Sequence, residues 1–304
     1  YVEKILSFVD PATLPELSLV ANPGNGCAGP AFDAIFDALA AQGARLQVTR
    51  VHHDPDGSFP NGIPNPLLPE NQPATAQVVR QAGADLGLAW DGDFDRCFFF
   101  DAAGDFIPGE YMVGVIAEAA LAAEPGAKIV HDPRVLWNTR DLVARAGGAA
   151  VVARTGHALV KAAMREADAA YGGEMSAHHY FRDFMFCDSG MIPWLMVLAA
   201  MGRSGQSLGD LVGGMRARFP SSGEINFRVT DAGAIMDAIE AEMTPQAQNV
   251  DHLDGLSVDM GDWRFNLRRS NTEPLLRLNV EARGDAGLLD EKRAQMQARI
   301  EAGA

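Results

Sequence analysis

The sequence predicts an α/β protein: two homologous α/β domains with mixed sheets, followed by a smaller α+β C-terminal domain with an antiparallel sheet. First, one succession of apolar strand, turn, helix, glycine and strand occurs twice before residue 218, and this succession is typical of βαβ units. Second, the pattern changes after Phe219-Pro220 to strands in which apolar and polar residues alternate. We therefore expect three domains, at residues 1–106, 107–218 and 219–304.

The two copies of the repeat begin with matching strands and turns. In the first copy, the apolar run Leu17–Ala21 ends at the glycine-rich segment 22–29, and a helical pattern covers Ala31–Ala41. In the second copy, Lys128–Val130 ends at the turn 132–134, and a helical pattern follows. Segment 22–29 is neither a dinucleotide-binding motif nor a P-loop. We interpret it as a tight turn that packs the first βα unit and binds no ligand.

The second halves of the copies match as well. In each copy an Ala-Asp pair follows a helix, and a polar loop begins after the next apolar strand. The register aligns the two loops residue by residue: Asp91 with Glu174, Asp93 with Ser176, and Asp95 with His178. Ligands bind at the carboxyl ends of strands in open α/β sheets, so both loops are candidate binding loops.

The last domain is predicted to contain a helix near Ala234–Met243 and two strands, Trp263–Leu267 and Leu275–Glu281, joined by a polar turn. Apolar and polar residues alternate in the second strand, which indicates a sheet with two different faces. A final helix is predicted over Leu288–Ile300.

The composition excludes several classes of protein. The net charge of −15 argues against nucleic acid or an anionic membrane as a partner, and an anionic substrate would need a local cluster of Arg, Lys and His. No apolar run approaches the roughly 18 residues of a membrane span, and the N-terminus lacks the pattern of a signal peptide. The three cysteines form neither a disulfide nor a zinc pattern, so we expect a cytoplasmic protein.

The segment Asp91-Gly92-Asp93-Phe94-Asp95-Arg96 carries the strongest chemical signal. Three carboxylates at alternate positions can converge on one divalent cation if the loop curls, and Gly92 permits the curl. Hard oxygen ligands select Mg²⁺ or Ca²⁺, whereas carboxylates packed this closely without a metal would raise one another's pKa. The alternative is a solvated acidic turn. An EF-hand fits poorly, because Arg96 stands where that loop needs Gly.

A second functional interpretation of the same segment stays open. An apolar strand followed by Asp-x-Asp also begins phosphatases of the haloacid dehalogenase type, in which Asp91 would be the nucleophile and Asp93 the general acid. That chemistry does not need the third carboxylate, Asp95, and the position after Asp93 lacks the expected Thr or Val.

The polar loop of the second domain suits a sugar. Glu174, Ser176 and His178 stand at alternate positions, so hydrogen-bond acceptors and donors lie on one side of an extended segment. Such a set matches a ring that bears several hydroxyl groups. Arg134, at the turn after a strand, and His157, after the next strand, could add positive charge near this loop, and a structural role for either residue is the alternative.

The polar turn of the last domain is Arg268-Arg269-Ser270-Asn271-Thr272-Glu273-Pro274. Guanidinium groups, hydroxyls and backbone N–H groups make an anion nest, and Arg is suited to bidentate binding of phosphate. We predict an anion site here, and a hairpin turn with surface arginines is the alternative. The residues expected to bind the anion are Arg268, Ser270, Asn271 and Thr272.

These three loops, in this order, resemble the metal loop, sugar loop and phosphate loop of the α-D-phosphohexomutase superfamily, whose members have four domains in one chain. The match runs from about Leu17 to Glu281. Segments 90–97, 172–183 and 262–268 are similar to those of bacterial phosphomannomutases of GDP-mannose and exopolysaccharide synthesis. Glu-Met-Ser at 174–176 is typical of members that accept mannose phosphates, whereas glucose-specific relatives tend to have a second Glu at position 175.

The resemblance implies the reversible conversion of hexose 6-phosphate and hexose 1-phosphate through a phosphoserine and a hexose 1,6-bisphosphate. It implies a Mg²⁺ ion held by the three aspartates, which would neutralise the transferring phosphoryl group, and it identifies no general base. The roles implied for the remaining residues are as follows: Arg96 helps to hold the phosphoserine, Glu174 and Ser176 hold sugar hydroxyls, Arg134, His157 and His178 line the cleft, and Arg268, Ser270, Asn271 and Thr272 hold the phosphate that is not reacting.

The sequence departs from the family at the catalytic serine. That serine lies in a Ser-His-Asn-Pro loop of the first family domain, and no serine of residues 1–304 is followed by His. The resemblance therefore implies that the first family domain is not among these residues. On this interpretation, the 304 residues alone would be a non-catalytic fragment that binds sugar phosphate and Mg²⁺.

Overall fold

The computed structural model describes residues 1–134, 136–270 and 274–303. Three five-stranded sheets organise these residues. The first two sheets are mixed and the third is antiparallel, which confirms the predicted fold class. Within the described residues, no helix combines the length and the apolar character needed to cross a membrane.

The first sheet is assembled around three parallel strands. Its elements, in chain order, are α1 (Val2–Leu6), β1 (Leu17–Asn22), α2 (Ala28–Ala41), β2 (Leu46–Arg50), α3 (Pro73–Ala82), β3 (Leu86–Trp90), β4 (Cys97–Phe100) and β5 (Phe106–Ile107). The strand order in space is β2-β1-β3-β4-β5. β1 is parallel to β2 and β3, and β4 returns antiparallel to β3. All residues of β3 and β4 are buried, so the connection between them begins at the end of a core strand.

The second sheet repeats the first strand for strand. Its elements are α4 (Gly109–Ala123), β6 (Lys128–His131), α5 (Trp137–Arg145), β7 (Ala149–Val152), α6 (His157–Ala167), β8 (Tyr171–Gly173), β9 (His179–Phe181), β10 (Cys187–Asp188), α7 (Ile192–Ser204) and α8 (Leu208–Arg218). The order β7-β6-β8-β9-β10 matches β2-β1-β3-β4-β5 in position and direction. This correspondence confirms the internal repeat.

The third sheet is antiparallel. Its elements are β11 (Ser221–Arg228), α9 (Ala232–Met243), β12 (Asn249–Asp251), β13 (Leu256–Asp259), β14 (Trp263–Arg269), β15 (Leu275–Ala282) and α10 (Ala286–Ala302), with the strands in the order β11-β15-β14-β13-β12. The two predicted strands and two predicted helices are confirmed. β11, β12 and β13 were not predicted, because the two edge strands are partly exposed and lack a continuous apolar run, and β13 has only four residues.

Helix boundaries follow local chemistry. Pro73 begins α3, where its missing N–H group costs no hydrogen bond, and Gly83 ends that helix in the left-handed conformation. The side chains of Ser207, Asp231 and Asp285 accept backbone N–H groups at the starts of α8, α9 and α10. These caps satisfy donors that a helix cannot pair internally.

The first two domains share one apolar core, whereas the third has its own. Ile116 of α4 and Trp194 of α7 are fully buried in the shared core, which includes side chains of both mixed sheets. Phe265 and Leu278 belong to the separate core of the third domain. The first two domains therefore pack as one apolar unit, and the third is joined to the second by polar contacts described below. The exact domain limits stay a prediction.

Candidate functional site

The loops that follow β3 and β8 lie side by side. Backbone groups of Arg96 and His178 form an antiparallel bridge between the two loops. The indole N–H of Trp90, at the end of β3, donates to the Gly190 carbonyl at 2.8 Å, close to the start of α7. The predicted metal loop and the predicted sugar loop therefore meet at the carboxyl ends of two equivalent strands.

The first of these loops, 91–96, brings its three carboxylates together. One carboxylate oxygen from each of Asp91, Asp93 and Asp95 lies within 4.8 Å of the other two. The loop rests on segment 22–29, because the Cys27 N–H donates to the Gly92 carbonyl at 2.9 Å. A Cβ atom added at Gly26 would lie only 2.7 Å from the same carbonyl oxygen. Segment 22–29 is thus a tight turn, as predicted, and it supports the acidic loop directly.

Burial and neighbouring charge distinguish the three carboxyl groups. Burial raises the pKa of Asp91 to about 6; the nearby charge of Asp95 adds to this effect, and Arg96 opposes it. A hydrogen bond from His178 holds the pKa of Asp95 at about 2. Asp93 is exposed. A cation at the cluster would offset the desolvation of Asp91 and its repulsion by Asp95, which both disfavour the ionised form. The three carboxylates therefore fit a hard divalent ion.

Arg96 holds the buried end of this acidic cluster. Its Nε lies 2.5 Å from Asp91 Oδ2 and 3.6 Å from Asp95 Oδ1. Its backbone N–H also donates to Asp91 Oδ1, at 3.2 Å. Both oxygens of Asp91 therefore accept from Arg96, and the exposed Asp93 is left as the member of the cluster that is freest to bind a ligand.

In the second loop, Glu174 is buried and held from both sides. Its Oε1 accepts the Gly156 N–H at 2.8 Å, and its Oε2 accepts the Tyr180 hydroxyl at 2.6 Å. Burial and this carboxylate together raise the pKa of Tyr180. The Ser176 hydroxyl lies 3.2 Å from His178 Nδ1, so the loop presents one linked set of polar atoms.

His157 joins this set from the start of α6. Its ring lies 4.1 Å from the ring of His178, centroid to centroid, in an edge-on arrangement. The His157 Nδ1 atom is 3.1 Å from Asp188 Oδ2, and Lys161 Nζ lies 3.0 Å from the other oxygen of that carboxylate. The structure therefore places His157 beside the sugar loop, as the sequence suggested, and it adds Asp188, which the sequence analysis missed.

Arg134 lies buried behind the same loop. Its Nη2 donates to Asp132 Oδ2 at 2.6 Å, and this oxygen also accepts the Met175 N–H at 2.8 Å. Asp132 thus links Arg134 to the backbone of the sugar loop. The motif Asp-Pro-Arg at a strand end could have indicated this role for Asp132, because its carboxylate can bind the backbone N–H two residues later.

The predicted phosphate loop begins at the end of β14. Arg268 is almost fully buried and lies directly opposite Arg277 of β15. Ser270 receives a hydrogen bond from Arg277 Nη2 at 3.4 Å. Asn271 and Thr272, also predicted to bind the anion, lie outside the described residues. Burial lowers the pKa of Arg268, and the nearby charge of Arg134 adds to this effect. Arg268, predicted to bind the anion, and Arg134, predicted to line the cleft, both lie 3.5 Å from Glu224 Oε2.

A buried ion pair fixes the turn that carries Arg134. Glu281 of β15 pairs with Arg264 of β14, and its carboxylate accepts the N–H groups of Leu136 and Trp137 at 3.0 and 3.2 Å. Arg264 donates to the carbonyls of residues 133 and 134 at 3.0 and 3.1 Å. The third domain therefore holds this turn of the second domain. The sequence analysis missed this clamp, because its contacts between the two domains join residues 130–145 apart in the chain.

Replacing Asp93 with Asn is expected to weaken Mg²⁺ binding about tenfold or more, because affinity for a hard cation follows the number of charged oxygen ligands. The fold should be unchanged, since Asp93 is exposed. Calorimetric titration with Mg²⁺ measures the effect. Asp105→Asn, which removes an exposed charge at the far end of β4, is the matched control. Equal affinity in both variants would contradict the metal assignment.

The fold and site define a class: an α/β protein of consecutive domains in which an acidic loop, a polar loop with two histidines, and buried arginines follow one another. Three family descriptions match it in order. They are phosphoglucomutase/phosphomannomutase alpha/beta/alpha domain II at residues 1–104, domain III at 108–219, and the C-terminal domain at 224–298. The chain belongs to the phosphoglucomutase/phosphomannomutase family, within the α-D-phosphohexomutase superfamily, which confirms the resemblance.

Known proteins resemble the chain over most of its length. It is 57% identical over 292 residues to a protein described as phosphohexose mutases from Xanthomonas campestris, and 56% identical over 292 residues to a phosphomannomutase from Salmonella montevideo. Each match covers 96% of this chain and 64% of the relative. A crystal structure of a phosphoglucomutase/phosphomannomutase family protein from Burkholderia thailandensis has a TM-score of 0.84 and 32% identity, covering 100% of this chain and 64% of that one. The chain thus spans somewhat less than two thirds of these relatives.

Proposed function

We propose that these residues form the metal-binding, sugar-binding and phosphate-binding domains of a phosphomannomutase. The enzyme would interconvert mannose 6-phosphate and mannose 1-phosphate through a phosphoserine and a hexose 1,6-bisphosphate, which would act as intermediate and activator, and would supply GDP-mannose synthesis. The observation that carries the proposal is the contact between the acidic loop and the Glu174–His178 loop, bridged by Arg96 and His178. This contact would put a phosphoryl-transfer centre next to a site for sugar hydroxyls.

Three carboxylates would hold the cation in this enzyme: Asp91, Asp93 and Asp95. When bound, Mg²⁺ would supply the positive charge that stabilises a transferring phosphoryl group. Arg96 would place its guanidinium beside the same centre and help to hold the phosphoserine. Since no serine among residues 1–304 precedes a histidine, the phosphoserine is proposed to come from residues outside this range.

The polar loop would hold the sugar. Glu174 is fixed by Gly156 and Tyr180, so its carboxylate would offer its remaining lone pairs to sugar hydroxyls in a constant position. Ser176 would be a second partner for those hydroxyls. His178 and His157 lie in edge-to-face contact beside this loop, and we propose that they line the cleft.

The phosphate that is not reacting would be held by Arg268 and Ser270 of the third domain, with Asn271 and Thr272 as further proposed partners. Arg134, anchored by Asp132, would add charge from the second domain. Cytoplasmic hexose phosphates would be the substrates, and the three free cysteines fit that compartment.

Two alternative functions account for fewer of these observations than the mutase proposal does. A phosphatase would use Asp91 as its nucleophile, but Asp91 is 2% exposed and both of its oxygens accept hydrogen bonds from Arg96. This carboxylate is poorly placed to attack a phosphate. The 304 residues alone would bind sugar phosphate and Mg²⁺ without turnover, and this second alternative is compatible with the mutase proposal for a longer protein.

A coupled assay for mannose 6-phosphate formation tests the proposal. A longer form of the protein that includes a family phosphoserine loop is expected to convert mannose 1-phosphate at least as well as the phosphates of glucosamine or N-acetylglucosamine. The reason is that Met175 should leave the sugar loop tolerant of the axial 2-hydroxyl of mannose, whereas glucose-specific relatives tend to have a second Glu at this position. A strong preference for an amino sugar would contradict the assignment of mannose.

The 304-residue chain, assayed alone with Mg²⁺ and hexose 1,6-bisphosphate, is expected to bind hexose phosphate without turnover, because group transfer needs donor and acceptor held within bonding distance. Robust turnover by these residues alone would contradict the requirement for a phosphoserine elsewhere.

A further inference from the structure

Glu224 of β11 lies at the meeting point of three arginines from two domains. Its Oε2 is 3.5 Å from Arg134 Nη1 and 3.5 Å from Arg268 Nη2, and its Oε1 is 3.4 Å from Arg277 Nη1. The Glu224 side chain is 20% exposed, whereas those of Arg134 and Arg268 are only 5% and 11% exposed. Solvent therefore reaches the carboxylate more readily than it reaches two of its partners.

Two of these arginines are neighbours across adjacent strands. Arg268 and Arg277 are directly opposite each other on β14 and β15, and like charges in that relation destabilise a sheet unless an anion lies between them. The Nε of Arg268 is buried and has no hydrogen-bond partner among the described residues. Arg134 contacts the carboxylates of Asp132 and Glu224, and Arg268 contacts that of Glu224. Asp254 acts on Arg268 only through its charge, while its carboxylate accepts the Thr155 N–H at 3.2 Å.

The contacts of Glu224 are loose compared with those of Asp132. Ion-paired nitrogen and oxygen atoms usually approach to about 2.7–2.9 Å, and Asp132 Oδ2 lies 2.6 Å from Arg134 Nη2. All three contacts of Glu224 are 3.4–3.5 Å long. Asp132 is thus the fixed partner of Arg134, whereas Glu224 shares one carboxylate among three cations without a short bond to any of them.

The backbone at this point departs from regular pairing. The register of β11 against β15 shifts between Ser221 and Glu224, and Gly223 has φ +66°. A bulge of this kind turns the next side chain away from its regular direction, and bulges are common beside binding sites. Here the shift precedes the residue whose carboxylate meets the arginines.

We propose that Glu224 is an internal counter-ion of the phosphate site, which shields the arginines when no phosphate is bound and competes with a phosphate group for them. Phosphate binding would displace the carboxylate, and its return would favour release of the ligand. This inference depends on the proposed function, in which Arg268 holds the phosphate that does not react. It adds to that function a residue that sets how tightly the phosphate is held.

Calorimetric titration of the 304-residue chain with inorganic phosphate tests the competition. Glu224→Gln keeps the shape of the side chain and removes its charge, and it is expected to bind phosphate about tenfold more tightly than the unmodified chain, because a like charge near the anion is lost. Glu242→Gln is the matched control. It removes one charge from the same domain at a carboxylate that pairs with Arg299, and it should leave the affinity within about twofold of the original.

Unchanged or weaker phosphate binding in Glu224→Gln would overturn the proposal, the weaker case showing that Glu224 positions the arginines. Glu224→Asp provides a second measurement, since its shorter side chain retreats from the arginines and should also tighten binding. If neither variant folds, as judged by circular dichroism, Glu224 is a structural ion-pair partner and the proposal fails.

An Arg268→Ala variant distinguishes failure of the proposed phosphate site from failure of this inference alone. If Arg268→Ala does not weaken phosphate binding, the proposed phosphate site itself is wrong; if it does, and Glu224→Gln binds no more tightly, only the present inference fails.

Discussion

Replacing Glu281 with Gln is expected to lower the free energy of unfolding by about 3–5 kcal/mol, the usual consequence of removing one partner from a buried ion pair. Glu281 is fully buried, and its loss would leave the charge of Arg264, which is 2% exposed, without a carboxylate. Glutamine could also accept with only one side-chain oxygen, whereas Glu281 now uses both oxygens for the N–H groups of Leu136 and Trp137.

Chemical denaturation followed by tryptophan fluorescence measures this effect, since Trp263 precedes Arg264 in the chain and the Trp137 N–H donates to Glu281. Asp290→Asn is the matched control, because Asp290 pairs with Arg293 on the surface of α10. Exposed pairs typically contribute less than about 1 kcal/mol. A similar small loss in both variants would contradict the view that Glu281 holds the second and third domains together.

Replacing Arg268 with Ala is expected to weaken the binding of mannose 6-phosphate by about 30-fold, which corresponds to about 2 kcal/mol for a charge-assisted phosphate contact. Arg268 is almost fully buried beside Arg134, so a phosphate there would interact with two guanidinium groups in a partly desolvated setting. Binding should weaken in the 304-residue chain, because the residues proposed to hold this phosphate are all within it.

Titration of the chain with mannose 6-phosphate measures this loss. Arg293→Ala removes the same charge from an exposed position on α10 and should change the affinity by no more than about twofold. Arg268→Lys adds a finer test, because a lysine keeps the charge but cannot form the bidentate contact of a guanidinium. Affinity unaffected by Arg268→Ala would remove this residue from the phosphate site.

Much of the fold could be predicted from local patterns. The repeat was visible because β3 and β8 are short apolar strands that follow an Ala-Asp pair and precede polar loops. Buried strands and amphipathic helices have periodicities that depend on near neighbours in the chain, so their positions appear in the sequence. The edge strands β11 and β12 escaped prediction, because a partly exposed strand pairs on one side only and needs no apolar run.

Part of the candidate site could likewise be predicted from local sequence, and part could not. The three aspartates of loop 91–96 are close together in sequence, and so are the polar residues of the Glu174–His178 loop. The carboxylates of one loop and the mixed polar groups of the other could therefore be predicted before the fold was known. The order of the loops also determined the family. Three further features depend on packing between distant segments: Arg96 meets His178, Glu224 lies among three arginines, and Glu281 clamps the turn of Arg134. These contacts join groups 44–145 residues apart in the chain, and only the packing of the sheets determines which charged groups share a low-dielectric space.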